Sequence, residues 1–172
     1  MFRSARRGIT LMETTIASLL VGGVLVTTLE LVGPTVRSTG LAEDALTAGI
    51  LADEMLDEIA AVRYADPTGN TGVIGRESGE NAADRNTFDD VDDYDGWSSS
   101  PKRINGAVLA GLRSGWTVSV RVRHAQPDAP QTDSLTETGV KRITVTVSRN
   151  GVTLAEKSIL RTRGFDLVRT GR

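Results

Sequence analysis

The sequence predicts an α+β fold in which a long N-terminal helix, first apolar and then amphipathic, packs on a small antiparallel β-sheet. Three observations lead to this prediction: an apolar run from Ile9, a helical stripe of apolar residues after it, and two-residue alternation in the last third of the chain. With 172 residues, 39% of them hydrophobic, the chain can bury one modest core. We therefore expect one globular domain with an N-terminal extension.

Charge and composition exclude several classes of protein. The net charge is −2 and the basic residues form no concentrated stripe, so nucleic acid is not an expected partner. Cysteine is absent, which excludes disulfides, thiolate nucleophiles and cysteine metal sites but leaves the compartment open. His124 is the single histidine and stands at the end of a predicted strand, where we expect it to be exposed. Without a second histidine it forms no triad or zinc site, so we do not expect an enzyme.

The N-terminus combines a basic leader with an apolar segment. Residues 1–8 contain three arginines and no acidic residue, and 14–29 carry no charge at all. As a helix, the 25 residues 9–33 would reach roughly 37 Å, which is enough to span a bilayer. Basic residues before an apolar span are typically retained in the cytoplasm, so we expect a single-pass membrane protein with a cytoplasmic N-terminus.

Glu13 is out of place inside this apolar segment. A carboxylate at the membrane centre costs about 2.5–3.5 kcal/mol on insertion scales, and less near the interface, so a compensating charge is expected. Cleavage between Gly8 and Ile9 would create an α-amino group roughly 6 Å along the helix axis from Glu13. In a bundle of staggered identical helices, that amine could neutralise the Glu13 carboxylate of a neighbour and fix the axial register.

The stretch from Arg7 to Glu13, Arg-Gly-Ile-Thr-Leu-Met-Glu, resembles the cleavage and methylation motif of type IV prepilins and type II secretion pseudopilins. The resemblance implies cleavage after Gly8 by a prepilin peptidase, N-methylation of Ile9, and a role for Glu13 in docking subunits. Ile9 replaces the usual phenylalanine, and Met12 replaces an isoleucine or valine; both remain apolar. The implied fold is pilin-like, with the helix from Ile9 in the filament core.

The resemblance also implies a function and a location. The chain would be a minor pilin or pseudopilin subunit of a type IV pilus or a type II secretion pseudopilus, and its partners would be the prepilin peptidase and other such subunits. Before assembly it would lie in the inner membrane with a periplasmic C-terminal domain. The sequence distinguishes neither pilus from secretion system nor major from minor subunit, and the filament's adhesin target or secreted cargo stays open.

Three other interpretations of the N-terminus were weighed. A Sec signal peptide would need a small-x-small cleavage site, which Val32, Gly33 and Pro34 do not supply. A twin-arginine signal fits Arg6 and Arg7 but not the carboxylate of Glu13. The alternative function is a membrane-anchored periplasmic binding domain or enzyme that retains its leader and joins no filament.

The rest of the chain predicts the globular part. Residues 34–64 predict an amphipathic helix, and 65–172 a β-rich periplasmic domain in which 116–123 and 143–148 alternate apolar and polar residues. Asn-Gly at 150–151 predicts a hairpin followed by a bulged strand, and 126–138 predict a polar loop. The apolar stripe of the helix consists of Leu41, Ala45, Ala48, Ala52, Met55, Ile59 and Val62.

Between the helix and the strands lies a long irregular segment with an Asp-rich loop at 88–97. Five carboxylates within seven residues could hold Ca²⁺, a cation that takes six to eight oxygen ligands. The spacing does not fit an EF-hand loop, because Val91 stands where the first aspartate is required. The alternative is a solvated acidic loop pinned by its aromatic residues, without any cofactor. The candidate calcium ligands are Asp89, Asp90, Asp92, Asp93 and Asp95.

Overall fold

The structure, a computed structural model, describes residues 10–66 and 73–170 and shows an α+β protein. This confirms the predicted class, with an N-terminal apolar helix and an antiparallel sheet. The predicted leader, the predicted cleavage site between Gly8 and Ile9, and Ile9 as the predicted site of methylation lie outside the described residues. The elements are α1 (Leu11–Ala61), two 3-10 helices (Arg85–Thr87 and Asp92–Tyr94), β1 (Ser98–Ser99), β2 (Trp116–Gln126), β3 (Ala129–Asp133), β4 (Val140–Arg149), β5 (Val152–Thr162) and α2 (Arg163–Thr170).

Helix α1 belongs to two compact units that divide between Glu43 and Asp44. In the first unit, Thr10 caps the start of the helix. The N–H of Glu13 donates to the Thr10 carbonyl at 3.0 Å and to its hydroxyl at 3.3 Å. This is the hydrogen bond expected of an N-cap threonine, and an acidic residue in the first turn also suits the helix dipole.

The second unit contains the five-stranded antiparallel sheet. The strand order is β1-β2-β4-β5, and β3 pairs with the end of β2. The predicted hairpin between β4 and β5 is confirmed: Asn150 and Gly151 have φ of 51° and 79°, which are the positive angles of a type I′ turn. Val147 pairs with Ala155 and Ser148 with Thr153, so Leu154 is the extra residue of the bulge.

The core lies between α1 and one face of the sheet. Of the predicted helical stripe, Ala48, Ala52, Met55 and Ile59 are buried, whereas Leu41, which falls in the first unit, is 67% exposed. From the sheet, alternate residues of β2 and β4 close the core, because the side chains of a strand point to opposite faces in turn. These sheet residues are Trp116, Val118, Val120, Val122, Ile143, Val145 and Val147.

Several ion pairs fasten α1 to the rest of the second unit, and two of them involve Glu58 and Asp53. Arg85 donates to both carboxylate oxygens of Glu58, at 2.6 and 2.9 Å, and its guanidinium lies 4.4 Å from the ring centroid of Trp97. Lys157 on β5 donates to both carboxylate oxygens of Asp53 at 2.7 Å. The first pair is buried at Arg85 and bidentate, which makes it the stronger of the two.

The structure departs from the sequence prediction in two places. Strand β3 lies inside the predicted polar loop 126–138, and α2 follows β5 where no element was predicted. Four of the five side chains of β3 are exposed, so the strand has no apolar alternation that could have revealed it. With β3 included, the sheet has five strands.

Replacement of Ile143 by alanine should lower the free energy of unfolding by about 2–5 kcal/mol, because it removes a buried branched side chain and leaves a cavity. Thr117→Ala, on the opposite face of the adjacent strand, should cost about 1 kcal/mol or less. Urea unfolding of the full chain in detergent, followed by fluorescence of the buried Trp97 and Trp116, measures both. Equal destabilisation by the two changes would contradict the assigned core face.

Candidate functional site

The first candidate site is the apolar part of α1. Residues Leu11–Val32 form a segment long and apolar enough to cross a membrane, and none of it is buried within the structure. Large apolar side chains such as Leu11 and Leu19 are 84% and 77% exposed. An exposed apolar surface of this extent is typical of a segment that contacts lipid or another protein.

The hydroxyl groups of this segment are satisfied within the helix. Thr14 donates to the carbonyl of Leu11 at 2.8 Å, Ser18 to that of Thr14 at 2.8 Å, and Thr28 to that of Val24 at 2.7 Å. Thr15 and Thr27 bond one turn back in the same way. In an apolar medium an unpaired hydroxyl costs several kcal/mol, so these bonds suit the segment to a membrane or a helix bundle.

The carboxylate of Glu13 is not satisfied within the helix in this way. The side chain is exposed in the first turn, and no residue in 10–66 or 73–170 forms an ion pair with it. Its neighbours Met12 and Ile16 are 70% and 47% exposed apolar side chains. A carboxylate on such a surface would need a cation from elsewhere if the surface were buried.

The second candidate is the Asp-rich loop, which is more buried than a solvated loop would be. The aromatic side chains do pin it: Phe88, Tyr94 and Trp97 are buried, and the rings of Phe88 and Tyr94 meet edge to face at 4.9 Å. The expectation of a solvated loop is wrong for three of its carboxylates. Asp90, Asp92 and Asp93 are at most 3% exposed.

The buried aspartates organise the backbone of their own loop. Asp93 Oδ2 accepts the N–H groups of Asp89 and Asp90 at 2.9 and 3.1 Å, and Asp90 Oδ1 accepts the N–H of Asp92 at 2.6 Å. Burial raises the pKa of Asp90 to about 7, with help from the charges of Asp92 and Asp93. Burial likewise raises the pKa of Asp93 to about 6.

Two of the five candidate calcium ligands are engaged by cations of the chain. Asp95 accepts from Arg123 at 3.0 Å and from the Val122 N–H at 2.8 Å, and Asp92 accepts from Lys141 at 2.7 Å. A calcium ion held by all five aspartates would have to displace both basic side chains. Calcium binding by this loop therefore stays a prediction.

The structure brings a different set of carboxylates together. One carboxylate oxygen from each of Glu77, Glu80 and Asp93 lies within 4.8 Å of the other two. Among the described residues, this is the group of acidic side chains that could hold a cation. Only Asp93 belongs to the Asp-rich loop. Glu77 and Glu80 could not be predicted as its partners, because they stand more than ten positions before Asp93 in a segment without periodicity.

A third feature is a group that we call the buried polar cluster: Tyr64, Asp92, His124, Glu137 and Lys141. Lys141 Nζ donates to Asp92 Oδ2 at 2.7 Å and to the Tyr64 carbonyl at 2.6 Å. The Tyr64 hydroxyl donates to Glu137 Oε1 at 2.7 Å, and His124 Nδ1 lies 3.5 Å from Glu137 Oε2. His124 and Lys141 are paired residues of β2 and β4, so both side chains continue the core face of the sheet.

Burial controls the acidities in the buried polar cluster. It raises the pKa of Asp92 above its usual value, although the hydrogen bond from Lys141 opposes the change. It raises the pKa of the Tyr64 hydroxyl too, and the bond to Glu137 adds to that rise. Burial would also raise the pKa of Glu137, but hydrogen bonds from Tyr64 and the Gly139 N–H hold it below its usual value.

The prediction of an exposed His124 is wrong, since this residue is only 4% exposed. It is buried because it follows Val120 and Val122 at the same two-residue spacing on the inner face of β2. Lys141 is 0% exposed, so a substrate in solvent could not reach either side chain in this conformation. The buried polar cluster contains side chains from the Asp-rich loop, from strands β2 and β4 and from the residues that follow α1, so it connects these parts of the second unit.

The stability of the fold should depend on pH through Asp90. Because folding raises its pKa from 3.8 to about 7, its contribution to stability is fully present below about pH 3.8 and is lost as pH rises through 7. Asp90→Asn keeps the Oδ1 acceptor without the charge. We expect the stability advantage of the variant over wild type to grow by at least about 1 kcal/mol between pH 5 and pH 8, because the folded-state carboxyl group ionises in that range.

Urea unfolding at the two pH values measures this difference. The matched control is Asp89→Asn, which removes an exposed carboxylate of the same loop and should leave the pH dependence unchanged. An Asp90→Asn variant that gains no stability between pH 5 and pH 8 would contradict the assigned cause.

The sequence predicted Glu13 and the five aspartates as site residues, and the structure separates them into an exposed helix surface and a buried loop. It did not predict the buried polar cluster. Lys141 and Glu137 look like ordinary surface residues in the sequence, and only the parity of β4 hinted that Lys141 faces inward. Comparison with protein-family models, curated proteins and solved structures gives no match.

Proposed function

We propose that this chain is a minor pilin or pseudopilin subunit, cut after Gly8 by a prepilin peptidase and incorporated into a type IV pilus or a type II secretion pseudopilus. The observation that carries the proposal is the Glu13 carboxylate. It is an exposed acidic group in the first turn of an exposed apolar helix, four residues after the expected new N-terminus at Ile9. The motif from Arg7 to Glu13 is the sequence pattern that resembles prepilins.

Charge pairing gives Glu13 its role in this proposal. If the apolar surface of α1 is buried in lipid or in a helix bundle, an unpaired carboxylate there is costly. The α-amino group of a processed neighbour supplies the cation, and the pairing fixes how far adjacent helices are displaced along their axes. The satisfied hydroxyls of α1 need no such partner, which leaves Glu13 to set the register.

Other features are compatible with this role. The absence of cysteine and the modest core suit a small export domain. Apolar side chains on α1 beyond the first unit, Leu46 and Ile50, are 70% and 59% exposed and would extend the packing surface between subunits. The proposed location is the inner membrane, with the leader in the cytoplasm and the domain in the periplasm, and afterwards the filament.

Processing is the first prediction of this proposal. Co-expression with a prepilin peptidase should convert the wild-type chain to one that starts at Ile9, and Gly8→Asp should stay full length. Intact-mass analysis of the detergent-extracted protein reads both results, with a strain that lacks the peptidase as the control. A wild-type chain that still begins at Met1 would favour the alternative, a membrane-anchored domain with a retained leader.

Assembly is the second prediction. Glu13→Val should be processed normally but should enter sheared filaments at least tenfold less than wild type, since an unpaired buried charge costs about 3 kcal/mol or more. Glu30→Gln is the matched control, because it removes the other carboxylate of the same apolar helix. Normal incorporation of Glu13→Val, measured by immunoblot of the sheared fraction, would reject the proposed role of Glu13.

A further inference from the structure

Lys141 and Asp92 bring an amine and a carboxyl group into direct contact, and these are the two groups from which an amide bond forms. The two side chains are 0% and 4% exposed, and Nζ lies 2.7 Å from Oδ2. In water an ammonium and a carboxylate at this distance remain charged and do not react. Burial removes most of the water that would otherwise separate and solvate the two groups.

Both reacting groups are held in place by their surroundings. Lys141 lies on β4, and its Nζ is fixed by a second hydrogen bond to the Tyr64 carbonyl at 2.6 Å and lies 4.2 Å from the Tyr64 ring centroid. Asp92 is the first residue of a 3-10 helix, and its backbone N–H donates a hydrogen bond to Asp90 Oδ1. Such positioning makes the reaction a unimolecular step and can remove a large part of its activation barrier.

The Asp92 carboxyl is also electronically prepared. Oδ2 faces the amine, whereas Oδ1 accepts no hydrogen bond from any residue that the structure describes. A carboxylate that is stabilised on one oxygen only is a poorer anion than one that is stabilised on both. The protonated form has a Cγ that an amine can attack.

We propose that Lys141 and Asp92 join in an intramolecular isopeptide bond. The ammonium first passes a proton to the carboxylate, and the free amine then attacks Cγ. The Nζ–Cγ bond forms, one Cγ–O bond breaks, and the oxygen leaves as water after it has taken a second proton from the nitrogen. Ammonium plus carboxylate thus gives a secondary amide plus water, with no change of oxidation state.

His124 and Glu137 are the other titratable side chains of the buried polar cluster beside Lys141 and Asp92. The imidazole Nδ1 lies 3.5 Å from the Glu137 carboxylate, and His124 is the residue of β2 that pairs with Lys141. Neither ring nitrogen is engaged in a hydrogen bond to a described residue. We assign both side chains as proton carriers for bond formation, with no role toward an external substrate.

The bond would act as a staple in a chain without cysteine. It would join the irregular segment before β1 to the start of β4 and replace two buried charges by a neutral amide. A cross-link of this kind removes conformations from the unfolded chain, as a disulfide does. The inference uses residues of the second unit alone and does not depend on the proposed filament function.

Mass spectrometry of the denatured full chain tests the bond directly. We expect the wild-type mass to be lower than the sequence mass by one water, after any processing at Gly8 has been accounted for. Trypsin should release the peptides 86–102 and 124–142 as one linked species, because a modified Lys141 is not cleaved. A wild-type chain with the full sequence mass overturns the proposal, whether or not the variants fold.

Variants localise the water loss. Lys141→Arg should restore the full mass, since a guanidinium keeps the charge but is no nucleophile at neutral pH. Lys157→Arg is the matched control: its ion pair with Asp53 has the same 2.7 Å distance but is exposed to solvent, so the water loss should persist. Water loss that survives Lys141→Arg, or that maps to a linear peptide containing Asp95–Gly96, overturns the proposal.

Discussion

The second unit depends on the burial of one face of α1 against the inner face of the sheet. Ala48, Ala52 and Ile59 are fully buried, and small side chains at the first two positions let the helix approach the strands closely. Each buried aliphatic side chain contributes about 1.5–3 kcal/mol, so this contact outweighs the polar ties around it. Phe88, Tyr94 and Trp97 of the irregular segment pack in this same core, so the described part of the segment is held by both the helix and the sheet.

Two buried charged pairs hold the irregular segment to other elements. Glu58 on α1 takes Arg85, and Asp92 takes Lys141 on β4. Each pair ties the irregular segment to a regular element, one to the helix and one to the sheet. Because removal of one partner would leave the other charge buried and unpaired, these pairs specify the path of the segment more than they stabilise the fold.

The parts of the fold that the sequence predicted are those with strong local signals. The apolar helix, the Asn-Gly hairpin and the alternating strands β2 and β4 each follow from a period or a turn preference. The exposed strand β3 has no such signal. His124 and Lys141 were missed as buried residues because a polar side chain on an inward position of a strand looks the same in sequence as one on an outward position.

The candidate site divides in the same way. The pattern around Glu13 is local and visible in the sequence, although the bond that it predicts to be cleaved lies outside the described residues. The fate of the aspartates depends on side chains far along the chain, since Lys141 comes 49 positions after Asp92. A dense run of acids therefore predicted a loop with a special role but not its burial.

The position of Lys157 affects which chains can pair with the edge strand β5. Strand β5 lies at an edge of the sheet, where it pairs with β4 among the residues that the structure describes. Lys157 on β5 is bound to Asp53 on α1, and a charged side chain at a sheet edge opposes the addition of a further flat strand there. A second copy of this chain is thereby discouraged from pairing edge to edge with β5.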